Sequence, residues 1–546
     1  MTTRELISRQ VARAIQAVWP GTVVPHFSVD YPREVRHGEY ATNVAMQLAP
    51  VLRQNPMEIA ERIAVVLRGS PLRSRFARVD AAPPGFLNFE LAPTWLARLP
   101  TRILEERHRY GRNDAGKNKR IHVEFISANP TGPLHMGNGR GAFIGDALAN
   151  VLAASGYRVW REYYFNDRGA QAERLAESVI RKYFIQHGVK VDYPENCYQG
   201  EYVGEIAASL KLERVKVGDI EKLRARIQQR VLNAMTRDIQ QLIEKRLHIR
   251  FDRWFRESEL FGLKLDRRIL TLLRERGLVY DQDGATWMKT SAFGDDKDRV
   301  IVKSDGRTTY FFGDVAYVYD KFMRRKFDRA LILLGADHHG FMPRLKAAAA
   351  ALDRPGKLDV LIYQLVRLIR GGVEIRMSKR AGTFVTLDEL IDEVGPDVAR
   401  FFFLMVGPDT HMDFDLDLAK EQSEKNPVYY VQYAHARIAS ILREIAKRRV
   451  PDASGTRTAT DAEGLALATH LLRFPETVID VAHTSDVQKL PFYAIELADR
   501  FHRFYATRRV IERDRVHVWR LQLVRAAQTV LANVLHLMGV TAPEKM

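Results

Sequence analysis

The first segment whose residues could do chemistry is the loop SANPTGPLHMGNGRG, which contains His135, Gly137 and Asn138. It stands directly before a predicted helix, where free amide groups and the helix dipole favour a bound phosphate. A glycine at position 137 lets a flat adenine pack against bare backbone, while His135 and Asn138 can donate hydrogen bonds to phosphate oxygens. Taken alone, this H-x-G-N tetrad is a weak signal, and a simple turn before a helix is the better explanation.

A second candidate is EIRMSKRAGTF, residues 374–384. Its small polar residues and the closing Gly382 are typical of a mobile loop. A flexible lysine at position 379 could reach a triphosphate and stabilise charge during phosphoryl or nucleotidyl transfer. A basic surface loop is the better explanation when the segment is taken alone. As nucleotide contacts the segment offers Arg376, Met377, Ser378 and Lys379.

The elements around the first loop form a recognisable unit. IHVEFI is a short apolar strand, AFIGDALANVLAASG is a helix closed by Gly156, and YRVWREYYF is the next strand. Strand, glycine loop, helix and strand predict a βαβ unit, hence a parallel sheet with its ligand at the carboxyl edge. Strands are expected again at RVIVKS, TTYFFGD and RALILLGAD, and only helices from Leu387 onward.

These patterns predict a multidomain α/β protein. A Rossmann-like parallel-sheet domain at 118–386 carries a helical insertion at about 198–261 and is preceded by an α+β domain at 1–110. A helical stem at 387–426 leads to an all-α bundle at 427–546. A chain of 546 residues is long enough for such a set of cores.

Composition narrows the classes of function. A formal net charge of +17 suits a polyanionic partner, although a basic genome would produce the same bias. The single cysteine, Cys197, excludes an internal disulfide and a cysteine-built zinc site. Apolar stretches are short and interrupted by charge, so no membrane span is expected, and the N-terminus lacks a secretory core, which favours the cytoplasm.

The two loops together have the layout of class I aminoacyl-tRNA synthetases, and the closer resemblance is to the arginyl family. ANPTGPLHMGNGRGA and MSKRAGTFVTLDEL resemble that family's two signatures. GEYATNVAMQLA and PPGFLNFEL resemble its N-terminal tRNA-binding domain, and NPVYYVQYAHARI and MGVTAPEKM its anticodon-binding domain. Two positions depart from the common signatures: Asn138 replaces a histidine, and Arg376 replaces a lysine.

The resemblance implies a reaction and its partners. L-Arginine would be activated by ATP to arginyl-adenylate, with Mg²⁺ bound to the ATP and no zinc, and then transferred to the 3′-terminal adenosine of tRNA(Arg). The enzyme would act as a monomer, and activation would wait for tRNA. His135, Asn138 and Lys379 would stabilise charge, without any covalent nucleophile.

The resemblance also implies an arginine pocket. Glu124 and Asp314 would hold the guanidinium, Tyr310 would close the wall, and Ser127 and Asn129 would fix the other end of the amino acid. Asp314 could instead cap a helix, and Tyr310 could be a core aromatic. The resemblance also places His338 in this pocket. As a metal site, His338 and His339 would be poor, because adjacent histidines on one strand point to opposite faces.

The RNA contacts are expected in both flanking domains. Arginines crowd residues 500–525, where Glu512 and Asp514 are the only acids, and aromatics precede them at the start of the last domain. Aromatics beside arginines suit an unpaired anticodon loop, although Tyr429 and Tyr433 could also be bundle core. The candidates are Tyr40, Asn43, Tyr430, Tyr433, Arg437, Arg508 and Arg509.

Three other functions were compared with this one. A class I ligase for cysteine or glutamate lacks support, because one cysteine cannot build the cysteine family's zinc site and a glutamate pocket needs arginine. A small nucleotidyltransferase would not need two RNA-binding domains. A catalytically silent tRNA-binding paralogue is disfavoured by the intact His135 and Lys379, and pyrophosphate exchange would distinguish it.

Overall fold

The computed structural model describes residues 1–210, 220–262, 265–375, 385–448, 461–512 and 515–546. Its N-terminal elements are α1 (Thr3–Val18), β1 (Tyr40–Thr42), α2 (Val44–Leu52), α3 (Pro56–Arg68), β2 (Phe76–Ala82), β3 (Phe86–Leu91), α4 (Pro93–Leu96) and α5 (Leu99–Glu106). The strands form an antiparallel sheet of order β1-β3-β2. Alternation along β3 buries Leu87, Phe89 and Leu91 under the helices.

The middle of the chain alternates strands and helices. Its elements are β4 (Arg120–Glu124), α6 (Met136–Ala154), β5 (Arg158–Phe165), α7 (Ala170–Gln186), α8 (Glu201–Ser209), α9 (Ile220–Gln241), β6 (Arg253–Arg256), α10 (Glu257–Gly262), α11 (Leu265–Glu275), β7 (Val279–Gln282), β8 (Ala285–Met288), β9 (Arg299–Val302), α12 (Tyr310–Tyr319), β10 (Arg329–Gly335), α13 (Met342–Ala351), β11 (Leu358–Tyr363), β12 (Val366–Arg370) and β13 (Val373–Glu374).

A five-stranded parallel sheet of order β11-β10-β4-β5-β6 organises this part. The first strand, β4, lies at its centre, so the strand order reverses between β4 and β10. Loops that follow β4 and β10 therefore meet at the carboxyl edge, which is where open α/β sheets bind ligands. Helix α6 packs closely on β4, because a Cβ at Gly145 would lie 2.3 Å from the Phe125 ring.

The remainder is mainly helical. It comprises α14 (Leu387–Val394), α15 (Pro396–Met405), β14 (Met412–Asp415), α16 (Leu416–Lys420), α17 (Pro427–Arg448), α18 (Ala462–Thr484), α19 (Lys489–Thr507), β15 (Ile511–Glu512), β16 (Arg515–Val516) and α20 (Val518–Met538). The N-terminal domain contacts these helices directly: the Trp519 indole donates to the Ala97 carbonyl at 3.2 Å. In the described ranges, no helix is both long and apolar enough to cross a membrane.

The predicted fold class is confirmed, but several local predictions are wrong. TTYFFGD is not a strand, because the Thr309 hydroxyl accepts from the Phe312 N–H and starts α12 at Tyr310. The chain after Leu387 is not purely helical, since β14 pairs in parallel with β12. The charged insertion contains β6, an edge strand of the main sheet, and RVIVKS forms β9 in a separate antiparallel sheet of order β7-β8-β9.

Candidate active site

The loop after β4 ends in a capped helix start at His135. The His135 Nδ1 accepts from the Gly137 N–H at 3.1 Å, and the His135 N–H donates to the Asn138 side chain, also at 3.1 Å. This reciprocal cap fixes both side chains at the amino end of α6, where the helix dipole favours anions. A Cβ at Gly137 would lie 3.0 Å from the His135 ring, so a larger residue would press on it.

The second signature segment leads back to this same loop. Directly after it, Thr386 forms an antiparallel bridge with His135, and the Leu387 N–H donates to the Leu134 carbonyl at 2.8 Å. The carboxyl end of the segment is therefore attached beside the helix start. Four predicted ATP contacts lie outside the described residues: Arg376, Met377, Ser378 and Lys379.

Glu124 ends strand β4 and is 4% exposed. Its Oε2 accepts from the Lys321 Nζ at 2.6 Å, and Lys321 is fully buried. The Ser127 hydroxyl lies 3.4 Å from Oε1, which leaves that oxygen with only a long contact. The sequence prediction treated Glu124 as an open carboxylate, whereas half of its acceptor capacity is taken by a lysine.

Asp314 lies one turn into α12, and it does not cap the helix, because Thr309 does. Burial raises the pKa of Asp314 to about 7, and the nearby Glu257 and Glu124 carboxylates add to the rise. A nearby cation would favour the ionised form of such a carboxyl group. The structure thus places two acids predicted for guanidinium binding, Glu124 and Asp314, in one electrostatic cluster.

Asn129 and Ser127 join the loop after β4 to the chain around β5. The Asn129 amide donates to the Gln171 side chain at 3.0 Å and its oxygen accepts from the Asn166 N–H at 3.0 Å. The Ser127 hydroxyl accepts from the Tyr164 N–H at 3.2 Å. Both residues therefore shape the mouth of the cluster.

Tyr310 is 79% exposed at the start of α12, which excludes the core-aromatic alternative. Its hydroxyl would be 3.9 Å from a Cβ at Gly169, in the turn after β5. Tyr310 and Asp314 therefore share one face of the helix, with the tyrosine at the solvent side and the acid below it.

His338 lies in a 3₁₀ turn, Ala336–Phe341, that follows β10 at the carboxyl edge. The argument that it shares a strand with His339 is therefore wrong. His338 is exposed, and its Nε2 is 3.5 Å from the Asp337 carboxylate. In the part of the chain that the structure describes, no group of three or more histidine, cysteine or acidic side chains is arranged to hold a metal.

Two residues of the cluster were missed from the sequence. Lys321 follows the apolar run YFFGDVAYVY, seven positions after Asp314. A lysine at that spacing from the acid was a usable sequence signal of a nearby cation. Glu257 directly follows strand β6 at the carboxyl edge, and burial raises its pKa. No sequence pattern pointed to Glu257, because β6 was assigned to a helical insertion.

The geometry agrees with the comparisons with known proteins. Residues 100–400 match the model of the class I (R) tRNA synthetase catalytic domain. Residues 5–91 match the arginyl tRNA synthetase N-terminal domain, and 431–546 the DALR anticodon-binding domain. The chain belongs to the arginyl-tRNA synthetase family. The resemblance predicted from the two signatures is thereby confirmed.

Individual relatives agree with the family. An arginine–tRNA ligase of Syntrophotalea carbinolica is 43% identical, with 100% of both chains covered. One from Listeria welshimeri is also 43% identical, over 99% of this chain and 98% of the relative. The arginyl-tRNA synthetase structure from Thermus thermophilus has the same fold, with a TM-score of 0.76 over 100% of both chains at 23% identity.

In this family member, the C-terminal aromatics form a half-exposed cluster rather than bundle core. The His502 ring, on α19, packs against Tyr430 at 4.9 Å and Tyr433 at 5.9 Å between ring centres. Together with Tyr429 and Glu424 these rings line a cavity of about 400 Å³. Such rings offer stacking faces to unpaired bases.

Arg437 closes the aromatic cluster on one side. Its guanidinium donates to the Tyr433 hydroxyl at 3.0 Å and lies 5.4 Å from the Tyr505 ring centre. A second cavity, of about 580 Å³, is shared by Tyr433, Arg437 and the C-terminal Met546. The predicted pair Tyr433 and Arg437 is therefore one surface.

The arginine-rich stretch is less basic than its sequence suggests. Acids one helical turn earlier pair with two of its arginines. Arg500 contacts Glu496 at 2.6 Å, and Arg503 contacts Asp499 at 3.0 Å. Arg508 lies 3.5 Å from Glu463, whereas Arg509 is exposed.

The N-terminal candidates behave differently from each other. Tyr40 is fully buried, and its hydroxyl donates to Glu476 at 3.2 Å. The prediction that this side chain contacts RNA directly is therefore wrong. Gly38 has φ +77, and a Cβ there would lie 2.4 Å from the Phe89 carbonyl oxygen. Asn43 precedes α2, is partly exposed, and accepts from Gln47 at 3.1 Å.

Proposed function

We propose that this chain activates L-arginine with ATP to form arginyl-adenylate and transfers the arginyl group to the 3′-terminal adenosine of tRNA(Arg). Membership of the arginyl family supports the activity of an arginine–tRNA ligase. The observation that carries the substrate is the acidic cluster of Glu124 and Asp314 at the carboxyl end of β4, the strand whose following loop leads to the helix start at His135.

ATP would bind with its phosphates at the amino end of α6. His135 and Asn138 are held there by their own cap, and the carboxyl end of the second signature is attached alongside. Positioning and charge stabilisation would assist attack of the arginine carboxylate on the α-phosphate, which breaks the bond to the β-phosphate and releases pyrophosphate. Mg²⁺ would come bound to the ATP phosphates, with Lys379 as the cation that stabilises their charge.

Arginine would lie with its guanidinium toward Glu124 Oε1 and Asp314. Tyr310 would cover the side chain, while Ser127, Asn129 and His338 would bound the α-amino end. A planar guanidinium can engage two carboxylates at once, whereas a lysine ammonium cannot form that fork. This difference is the basis for selecting arginine.

The tRNA would span both flanking domains. The aromatic cluster of Tyr430, Tyr433 and His502, with Arg437 beside it, would receive unpaired anticodon bases. Arg508 and Arg509 would contact phosphates, and Asn43 would represent the N-terminal contact. We further propose that the enzyme works as a monomer in the cytoplasm.

The substrate is tested by ATP–pyrophosphate exchange with each amino acid in the presence of bulk tRNA, in wild type and in Asp314→Asn. Only arginine should support exchange. Loss of one carboxylate leaves a desolvated guanidinium half paired, so the KM for arginine should rise ~100-fold or more with little change in the KM for ATP.

A matched control is Asp353→Asn. Asp353 is an exposed acid just after the carboxyl end of α13, and it pairs with Arg276. This substitution should leave both constants unchanged. Unaltered arginine kinetics in Asp314→Asn would refute the pocket, and absence of exchange with any amino acid would indicate a silent tRNA-binding paralogue.

A further inference from the structure

Two buried glutamates lie side by side in the parallel sheet. Glu124 on β4 and Glu162 on β5 are partners in the strand register, and they are 4% and 0% exposed. Two carboxylates so placed repel each other and lose their hydration, so each requires a cation.

A single turn of chain supplies both cations. Directly after α12 the helix widens into a π-helical turn, Asp320–Arg324. From it, the Lys321 Nζ reaches Glu124 Oε2 at 2.6 Å, and Arg325, the residue that ends the turn, reaches Glu162 at 2.5 and 2.7 Å. Such widened turns are frequent at functional sites.

The two glutamates differ in what remains open. Glu162 also accepts from Tyr317 at 2.6 Å and Trp160 at 3.1 Å, and hydrogen bonds from His122 and Arg325 hold its pKa well below its usual value despite burial. Glu162 is therefore saturated by neighbours.

Glu124 has one strong partner, Lys321, and one long contact from Ser127. Its Oε1 thus keeps acceptor capacity. Lys321 itself is confined, since its Nζ also lies 3.5 Å from the Tyr317 ring centre and its side chain is inaccessible to solvent.

We propose that Lys321 is a positioning residue for arginine: it clamps one oxygen of Glu124 and so presents the other to the substrate guanidinium. The inference rests on the proposed arginine pocket. Lys321 does not touch the substrate and acts through Glu124. A buried ion pair adds little net stability over apolar residues of the same volume, so orientation is the better account of its presence.

The clamp has a consequence for pH dependence. Among the groups that face Glu124, Lys321 is the one cation in contact within the described residues. The others are Ser127 in the loop, Asp314 and Tyr317 on α12, Tyr164 and Glu162 on β5, and His122 on β4. Without Lys321, burial would favour the protonated carboxyl group, which cannot accept from a guanidinium in the same way. Arginine binding should then become more sensitive to acid.

The test compares Lys321→Met, Lys321→Arg, Glu124→Gln and the double variant Lys321→Met/Glu124→Gln in aminoacylation at saturating tRNA. The KM values for arginine and ATP are measured at pH 6.5 and 8.5. Arg324→Met is the matched control, because it removes a cation of the same turn that pairs with Asp320 and not with Glu124.

Lys321→Met should raise the KM for arginine by ~10-fold or more, with a larger effect at pH 6.5, while the KM for ATP stays within about twofold. Lys321→Arg should recover part of the loss. In the Glu124→Gln background, Lys321→Met should add nothing, because the carboxylate that the clamp orients toward the guanidinium is already gone.

The outcomes separate the two proposals. An unchanged arginine KM in Glu124→Gln would refute the proposed pocket and the clamp with it. A raised KM in Glu124→Gln but not in Lys321→Met would refute the clamp alone. Equal losses from Lys321→Met in both backgrounds, without pH dependence and with a lower melting temperature, would assign Lys321 a purely structural role and also overturn the inference.

Discussion

At the scale of single residues, the site is built from acids held where acids are costly. Asp314 lies among Glu257, Glu124 and Tyr164, and burial is the largest cause of its raised pKa, about 7. A carboxyl group whose ionised form is disfavoured by burial gains the most interaction free energy when a guanidinium binds beside it. The same arrangement must lower the stability of the folded enzyme.

Asp314→Asn should therefore stabilise the protein while it weakens arginine binding. Because the folded state holds the Asp314 proton up to about pH 7 and the unfolded state releases it near the ordinary aspartate value, the free energy of unfolding falls between these pH values and then levels. The gain in melting temperature should thus be small near pH 4 and larger at pH 8. Melting curves at both pH values check this, and a gain independent of pH would contradict the role of ionisation.

At the scale of elements, the start of α6 organises both signatures. Its cap holds His135 and Asn138, and the bridge from His135 to Thr386 attaches the end of the second signature. Lys379 is seven positions before Thr386, a span of at most ~25 Å of extended chain. That length allows the lysine to reach phosphates bound at the helix start.

Lys379→Ala should lower the rate of adenylate formation by roughly two orders of magnitude or more, the scale for loss of one charge-stabilising group. The KM for arginine should stay nearly unchanged, because the arginine pocket is built from other elements. Arg376→Ala is the matched control and should have the smaller effect in pyrophosphate exchange with tRNA present. A larger loss from Arg376→Ala would show that the cation is misassigned.

At the scale of the whole molecule, one carboxylate joins the N-terminal domain to the C-terminal helical domain. Glu476 on α18 is 2% exposed and accepts from the Tyr31 hydroxyl at 2.6 Å and the Arg4 N–H at 2.9 Å. The Tyr31 ring lies between Arg4 and Arg473, at 4.3 and 4.0 Å from its centre. A tRNA bound at both domains benefits from a fixed distance between them.

Glu476→Ala should raise the KM for tRNA by ~10-fold, because the buried donors lose their acceptor and the two domains separate more easily. The KM values for arginine and ATP at saturating tRNA should not change. His483→Ala, an exposed position on the same helix, serves as the control. Faster proteolytic cleavage of Glu476→Ala would show that the contact between the domains has loosened. If the KM for tRNA were nevertheless unchanged, the contact would not contribute to tRNA binding.

The sequence by itself determined the features that depend on neighbours in the chain. The capped loop of His135, Gly137 and Asn138 and the βαβ unit follow from local patterns, and the family resemblance from segments in co-linear order. Charge partners that lie far apart in the chain do not follow from local patterns. Only the tertiary structure could show that Lys321 pairs with Glu124, and that Glu463 lies beside Arg508.

The same reason explains the remaining differences. TTYFFGD became a helix because Thr309 caps it, and β14 exists only because β12 lies open beside it. Tyr40 looked like an RNA contact but is buried against Glu476, which is hundreds of residues away in the chain. Periodicity records which face of an element is apolar, whereas packing decides what covers that face, and here the packing placed the acids and their cations around the proposed arginine site.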